Sequence, residues 1–209
     1  MENLHQIKNT VYAGCPLDKA KSALIMVHGR GDSSDKMQNL AEIISEDPDR
    51  ALIFPKATFS TWYPKGFLEE WSINQPWLDS ALTLLDTIVS EITAAGVKKE
   101  NIYFLGFSQG ACLSLEYVTR NATKYAGVMI LSGGLIGPRV EPKNYTGDFS
   151  GTPIFMGCSD IDHHIPVHRL EDSEKQLTKM GAKVNLKIYP GMDHIISEDE
   201  IEIVKEMLK

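Results

Sequence analysis

The chain has 209 residues, a formal net charge of −7 and a hydrophobic fraction of 43%. This size and apolar content suit one core, so we expect a single domain over residues 1–209. The acidic balance and the scattered basic residues argue against a nucleic-acid surface. No apolar run approaches the ~18 residues that a membrane span needs, and residues 1–21 lack the apolar core of a signal peptide. Three widely separated cysteines indicate reduced thiols, so a cytoplasmic protein is expected.

Apolar runs typical of strands alternate with amphipathic helical stretches along the chain. Seven runs qualify, and an eighth strand stays open: 10–13, 22–27, 51–54, 102–105, 127–131, 154–157 and 184–189. Helices are predicted over 76–95, over 109–120, from near Val167 and after Ser197, which forms a capping-box pattern with Glu200. Such alternation predicts an α/β fold with a mostly parallel sheet and helices on both faces.

Residues 106–110 read Gly-Phe-Ser-Gln-Gly, between a predicted strand and a predicted helix. A Gly-x-Ser-x-Gly sequence in this context is a nucleophile elbow, where glycine allows a turn too tight for a Cβ. The motif predicts that Ser108 is a nucleophile. Two glycines around a serine also recur by chance, so an ordinary turn serine is the alternative.

Suitable partners for a serine nucleophile follow in the chain order of hydrolases. An acidic turn contains Asp160 and Asp162, and His194 lies further on in a Gly-Met-Asp-His segment. The residues alone leave both aspartates open as the acid. Upstream, residues 28–31 read His-Gly-Arg-Gly after a predicted strand, and such a loop can turn backbone N–H groups toward a developing oxyanion. His28 itself is expected to be structural and to bond to the backbone.

Two further groups of side chains have competing interpretations. His163, His164 and His168 lie beside the acidic turn and could ligate a metal, yet adjacent turn residues point apart, so no metal is predicted. The apolar side chains around the irregular segment 56–75 could pack internally or could wall an acyl pocket. They are Trp62, Tyr63, Phe67, Leu68, Trp71 and Trp77. Residues 56–75 and 133–152 are both expected to border the site.

Six segments in order carry a family resemblance: 28–31, 62–64, 106–111, 131–134, 157–166 and 189–194. Together they resemble the phospholipase/carboxylesterase family of α/β-hydrolases, which includes bacterial carboxylesterases and acyl-protein thioesterases. The resemblance covers nearly the whole chain. It implies an α/β-hydrolase fold without a cap domain, and chemistry without a metal or organic cofactor.

The resemblance also implies residue roles. Ser108 becomes the nucleophile and His194 the base, while the acid is Asp162 because the family's acid lies three residues before an Ile-Pro or Val-Pro pair. Asp160 would then support the turn. The backbone N–H groups of Arg30 and Gln109 would form the oxyanion hole.

The expected activity is hydrolysis of carboxylic esters, or of thioesters, through an acyl-serine, with short to medium acyl chains favoured. The substrate pocket is assigned to Trp62, Tyr63, Phe67 and Trp71. Asp193 and Arg30 differ from residues typical of thioesterases, which favours the carboxylesterase branch.

The alternatives are an acyl-protein thioesterase, a lysophospholipase, a serine peptidase and, in a different class, a non-catalytic binding protein that kept the hydrolase fold. The expected partner is a small-molecule ester, without nucleic acid or stable membrane insertion, and a homodimer is left open.

Overall fold

The computed structural model describes residues 4–209, in which seven strands form one sheet of order β1-β3-β2-β4-β5-β6-β7. Strand β1 is antiparallel to β3, and every other neighbouring pair is parallel. Their bounds are β1 Val11–Gly14, β2 Ser22–Val27, β3 Arg50–Phe54, β4 Ile102–Phe107, β5 Gly127–Leu131, β6 Pro153–Ser159 and β7 Lys183–Tyr189. All seven predicted strands are confirmed to within two residues at each end, and no eighth is present in the described range.

Residues 4–209 contain six α-helices. They are α1 Ser34–Ile44, α2 Trp71–Asn74, α3 Trp77–Ala94, α4 Gln109–Arg120, α5 Val167–Lys179 and α6 Glu198–Met207. Helices α3, α4 and α5 pack on one face of the sheet, whereas α1 and α6 pack on the other. The predicted α/β fold with helices on both faces is therefore confirmed. None of the helices within residues 4–209 has the length and apolarity to traverse a bilayer.

The central strands are buried on both faces. In β2, Ala23, Ile25 and Val27 face one core, while Leu24 and Met26 face the other. Side chains alternate across a strand, so a strand covered on both faces reads as an unbroken apolar run. This is why the period-two signal is missing from the sequence at these strands.

The parallel arrangement determines where the site can form. Strands β2, β4, β5, β6 and β7 end at the same edge of the sheet, with Val27 paired to Gly106 in the β2–β4 register. Loops that follow these strands therefore converge, and ligands of open α/β sheets bind at this carboxyl edge. Helix α6 begins just beyond, at a capping box in which Ser197 Oγ accepts from Glu200 N and Glu200 Oε2 accepts from Ser197 N.

Candidate active site

Ser108 lies in a strained turn between β4 and α4. Its φ of 54° and ψ of −120° place it where a non-glycine residue is strained by about 1–3 kcal/mol. The neighbouring glycines have no room for a side chain. A Cβ on Gly106 would lie 2.5 Å from Gly110 O, and one on Gly110 would lie 2.1 Å from Val27 O. These contacts explain why the elbow requires glycine at both positions.

Ser108, His194 and Asp162 form a continuous chain of hydrogen bonds. His194 Nε2 lies 2.8 Å from Ser108 Oγ, and His194 Nδ1 lies 2.6 Å from Asp162 Oδ2. A carboxylate accepts only, so Nδ1 carries the proton and leaves Nε2 free to accept the serine hydroxyl. The distances match those needed by a general base and its orienting acid.

The Asp162 carboxylate is shielded from solvent and held by the backbone. Its side chain is 0% exposed, and Oδ1 accepts from His164 N at 2.8 Å and from Ile165 N at 3.1 Å. Burial by itself would raise the pKa of Asp162, but the hydrogen bonds from His194 and from His164 N outweigh it and keep that pKa below its usual value. The carboxylate is therefore ionised at neutral pH.

Asp160, the other candidate acid, lies in the same turn but points elsewhere. Its Oδ1 accepts from Gly191 N at 2.7 Å, which ties the turn to the segment that carries His194. The residues alone left both aspartates open as the acid. In the structure the Asp162 carboxylate is bonded to the His194 imidazole, whereas the Asp160 carboxylate is bonded to the backbone.

Two backbone N–H groups near Ser108 are available as donors. A Cβ on Gly29 would lie 3.4 Å from Ser108 Cβ, so the 28–31 loop passes directly beside the nucleophile. Within residues 4–209, neither Arg30 N nor Gln109 N has a hydrogen-bond partner. Gln109 is also the first residue of α4, where the helix dipole favours negative charge.

The side chain of Gln109 holds the segment that faces Ser108. Its Oε1 accepts from Trp62 N at 2.9 Å, and its Nε2 donates to Tyr63 O at 2.8 Å. The side-chain amide therefore satisfies one backbone N–H and one backbone C=O that a neighbouring strand would pair in a sheet. Sequence reasoning missed this role, because the partners are more than 40 residues apart and no spacing rule connects them.

The Arg30 side chain has a similar role. Its guanidinium donates to Tyr63 O at 2.9 Å, to Pro64 O at 2.8 Å and to Lys65 O. The planar fork of arginine suits several acceptors at once, which a lysine could not match. Residues 61–68, held by the Arg30 and Gln109 side chains, are called the loop side of the site below. Ser108, Asp162 and His194, with the loops that carry them, are called the elbow side.

A cavity of about 290 Å³ separates the two sides. Besides Ser108 and His194, it is lined by Arg30, Tyr63, Lys65, Gly66, Phe67, Gln109, Cys112, His164 and Ile165. Of the predicted pocket residues, Tyr63 and Phe67 lie on its wall. The sequence analysis missed Cys112, His164 and Ile165 as lining residues. Ile165 lies three residues after Asp162. Because Asp162 was expected to lie near Ser108, its neighbours in sequence could have been predicted to line the cavity.

Trp62 and Trp71, also assigned to the pocket from sequence, do not line this cavity. Trp62 is 0% exposed, and its indole Nε1 donates to His28 O at 2.8 Å, because the bond from Trp62 N to Gln109 turns its side chain into the core. Trp71 lies in a separate surface groove, with the Arg120 guanidinium 4.5 Å from its ring centroid. These two assignments are corrected.

Segment 133–152 was expected to border the site, but none of its residues lines the cavity. It packs against the helices instead. Leu135 N donates to Ser173 Oγ at 3.0 Å on α5, and Ile136 N donates to the buried Glu116 carboxylate at 3.0 Å on α4. These bonds satisfy backbone groups that burial would otherwise leave unpaired.

The remaining histidines have separate positions. His28 is buried, with Nε2 accepting from Ala57 N at 3.1 Å and Nδ1 donating to Gly29 O at 2.7 Å, so the expected structural role is confirmed. Burial also lowers the pKa of His28. The His164 ring lies 5.2 Å from the His194 ring. Across residues 4–209, no three His, Cys, Asp or Glu side chains are grouped closely enough to hold a metal.

Comparisons with known proteins identify the family and the fold. A crystal structure of a phospholipase/carboxylesterase from Dyadobacter fermentans has 45% sequence identity and a TM-score of 0.95, covering 98% of each chain. Acyl-protein thioesterase 1 of Kluyveromyces lactis is 27% identical over 96% of both chains. The Bacillus cereus carboxylesterase, at 19% identity and a TM-score of 0.76 over 100% of this chain and 98% of its own, shares the fold. The profile of the phospholipase/carboxylesterase family matches residues 10–209, and the chain therefore belongs to this family of α/β-hydrolases.

Proposed function

We propose that the enzyme cleaves carboxylic esters at Ser108, with His194 as the base and Asp162 as the acid. Family membership makes the chain a serine hydrolase of esters or thioesters. The observation that carries the residue assignment is the unbroken hydrogen-bond chain of 2.6 and 2.8 Å from Asp162 through His194 to Ser108, at the wall of a cavity.

The proposed reaction is acyl transfer to water in two halves. His194 Nε2 takes the proton of Ser108 Oγ as the oxygen attacks the carbonyl carbon, and it returns the proton to the leaving alcohol. Water then attacks the acyl-serine with His194 again as the base. Asp162 keeps the imidazole in the Nδ1–H tautomer and stabilises the imidazolium in both halves.

The negative charge that develops on the carbonyl oxygen would be held by Arg30 N and Gln109 N. Both donors lie beside Ser108 and lack partners within residues 4–209, so their bonds to the oxygen replace none already made. Donors fixed in place before the reaction stabilise the transition state without reorganisation, and each is worth about 10²–10³ in rate in comparable enzymes.

The cavity supports a preference for short to medium acyl chains. At about 290 Å³ it lies at the lower end of the usual range for ligand pockets, and Tyr63 and Phe67 give it an apolar wall. Each buried methylene contributes about 0.8 kcal/mol, so kcat/KM should rise with chain length until the wall is covered and then level off.

Two alternatives remain for comparison. Thioesters would react by the same steps with a thiol as leaving group, and the acyl-protein thioesterase relatives keep that substrate class as the second candidate. A non-catalytic binding protein would be expected to lack one member of the hydrogen-bond chain, and all three residues are in place here.

The test is hydrolysis of 4-nitrophenyl butyrate together with labelling by a fluorophosphonate probe. Ser108→Ala should abolish both, and His194→Ala should lower kcat by about 10⁴ or more, since nucleophile and base act as a unit. Thermal melts followed by circular dichroism check that both variants fold. Turnover retained in a folded Ser108→Ala variant would refute the assignment.

Other expectations from the sequence stay predictions: one domain, a cytoplasmic location, no nucleic-acid binding and no metal or cofactor. Whether the protein forms a homodimer stays open. All three cysteines are unpaired, which supports a reducing compartment. Activity should survive exhaustive EDTA treatment, and a zinc-restored loss would contradict the serine mechanism.

A further inference from the structure

The cavity beside Ser108 carries positive charge in a protein that is negative overall. Arg30 and Lys65 both line it, and none of its lining residues is acidic. The whole chain has 28 acidic and 21 basic residues, so a wall with two cations and no carboxylate departs from the average surface. Clefts lined by one sign of charge concentrate ligands of the opposite sign.

No carboxylate neutralises these two cations. Within residues 4–209, neither Arg30 nor Lys65 forms an ion pair. Arg30 donates to backbone carbonyls of the loop side, which satisfies its N–H groups and fixes its position but leaves its charge uncompensated. Lys65 is exposed, and its backbone N donates to Asn74 Oδ1 at 2.9 Å, so its main chain is anchored while its ammonium group remains available.

The nearby acids are outside the cavity. Glu69 and Glu70 follow on the same loop, are exposed and do not line it. On the elbow side, Asp162 is shielded behind His194, and Asp160 is bonded to Gly191 N. Asp32, two residues after Arg30, is paired with Lys36, and the exposed Asp193 does not line the cavity. The lysine and arginine side chains that line the cavity therefore face no carboxylate on its wall.

We propose that the site selects esters that carry an anionic group, a carboxylate or a phosphate, and that Lys65 determines this specificity with Arg30 adding to the field. This inference rests on the proposed hydrolysis at Ser108 and narrows its substrate class. A flexible ammonium group at the rim can follow an anion on the acyl part or on the leaving group. Such long-range attraction acts mainly on capture of the substrate, so it should affect kcat/KM and be screened by salt.

The experiment compares matched substrates that differ in charge. The first pair is mono-4-nitrophenyl adipate against 4-nitrophenyl hexanoate, with the charge on the acyl chain and the uncatalysed rate subtracted. The second pair is 1-butyrylglycerol 3-phosphate against 1-butyrylglycerol, with the charge on the leaving group. Each pair is measured with the wild type, with Lys65→Met, which keeps the side-chain length, and with Lys124→Met. Lys124 is an exposed lysine that forms no ion pair within residues 4–209 and lies three residues before β5, at the opposite edge of the sheet.

In Lys65→Met we expect the anionic-to-neutral ratio of kcat/KM to fall about fivefold to tenfold in at least one pair, as expected for one charge near the substrate. Raising salt from about 20 mM to about 500 mM should lower the wild-type ratio in the same direction. Lys124→Met should keep the wild-type ratio. A fall in the adipate pair alone identifies a carboxylate on the acyl chain, and a fall in the phosphate pair alone identifies a phosphate headgroup.

Unchanged ratios in both pairs for Lys65→Met would overturn the inference while leaving ester hydrolysis intact. If the wild type hydrolyses none of the four esters, the proposed function fails, and the inference is judged on binding instead. Adipic acid monoamide, which carries one carboxylate, and hexanamide, which is neutral, would then be titrated calorimetrically into the wild type and Lys65→Met. Weaker binding of the monoamide in Lys65→Met, with hexanamide binding unchanged, supports charge selection, and equal binding of the monoamide overturns it.

Discussion

The two sides of the active-site cavity are held in place by different kinds of contact. On the elbow side each turn is shaped by contacts that are short in sequence, and the His194 bonds to Asp162 and Ser108, which span 32 and 86 residues, then join the turns. Gly106 packs against its own turn, and the Asp162 carboxylate accepts from N–H groups two and three residues later. On the loop side, the side chains of Arg30 and Gln109 reach 33 to 47 residues along the chain to hold the segment.

This difference shows that the motif residues have two sets of roles. In Arg30 and Gln109 the backbone N–H has no hydrogen-bond partner within residues 4–209, while the side chain holds the opposite wall. A motif records which residue types recur at the elbow, but it does not record what their side chains hold. Four changes test whether the two sides really depend on separate contacts.

The largest effect is expected on the elbow side, from Asp162→Asn. Losing the carboxylate should favour the wrong imidazole tautomer and lower kcat on 4-nitrophenyl butyrate by about 10³–10⁴. Asp160→Asn is the matched control. It weakens only the bond to Gly191 N and should lower kcat by less than about tenfold. Equal losses of kcat in the two variants would contradict the assignment of Asp162 as the acid and would indicate that the whole turn supports His194.

A smaller effect is expected on the loop side, from Gln109→Met. The variant leaves Trp62 N without a partner and removes one donor to Tyr63 O, which still accepts from Arg30, so the segment should be weakened by about 1–3 kcal/mol. Hydrogen exchange should speed up in residues 61–65 and stay the same around Asp162, while kcat/KM falls about tenfold. Gln38→Met on α1 serves as the control. Faster exchange on both sides alike would show that the two walls are not independent.

Phe67→Ala tests whether the loop side binds the acyl chain. The side chain lines the cavity, so its loss should lower kcat/KM on the hexanoate ester about fivefold to tenfold more than on the acetate ester. Phe59 lies two residues before the loop side, is 85% exposed and does not line the cavity, so Phe59→Ala should affect both esters alike. Equal losses for Phe67→Ala on the two esters would exclude it from the acyl site.

The smallest effect is expected from a thiol reagent. Cys112 lines the cavity, but burial raises the pKa of its thiol to about 12. At pH 8 only about one molecule in 10⁴ would carry the reactive thiolate. Iodoacetamide should therefore leave esterase activity unchanged over an hour, with mass spectrometry to locate any label. Rapid inactivation with label on Cys112 would mean that the wall opens to solvent.

The elbow side could be predicted from sequence because its determinants are local. A strand, a glycine-flanked serine and a helix follow one another between residues 102 and 120, and each is set by its own neighbours. The sequence spacing between the acid and the Ile-Pro pair, taken from the family resemblance, favoured Asp162 over Asp160. In the structure Asp162 is hydrogen-bonded to His194. The positions of the strands followed in the same way from unbroken apolar runs.

The loop side could not be predicted, because an irregular segment has no period that assigns side chains to a face. Trp62 and Tyr63 are adjacent and both are almost fully buried in the same core, yet only Tyr63 lines the cavity. Their orientation depends on bonds to Gln109 that no local pattern records. Helix α1 was not predicted either, although its buried residues Met37, Ala41 and Ile44 recur at helical spacing.

The contact between Gly110 and the end of β2 has one further consequence. Because the Gly110 backbone lies against Val27 O and His28 O, the start of α4 and the loop that follows β2 cannot shift relative to each other without a steric clash or a gap. The two proposed oxyanion donors come from these two elements. We therefore expect their spacing to be set when the chain folds, before any ester binds, so that a tetrahedral intermediate would find both donors already in position.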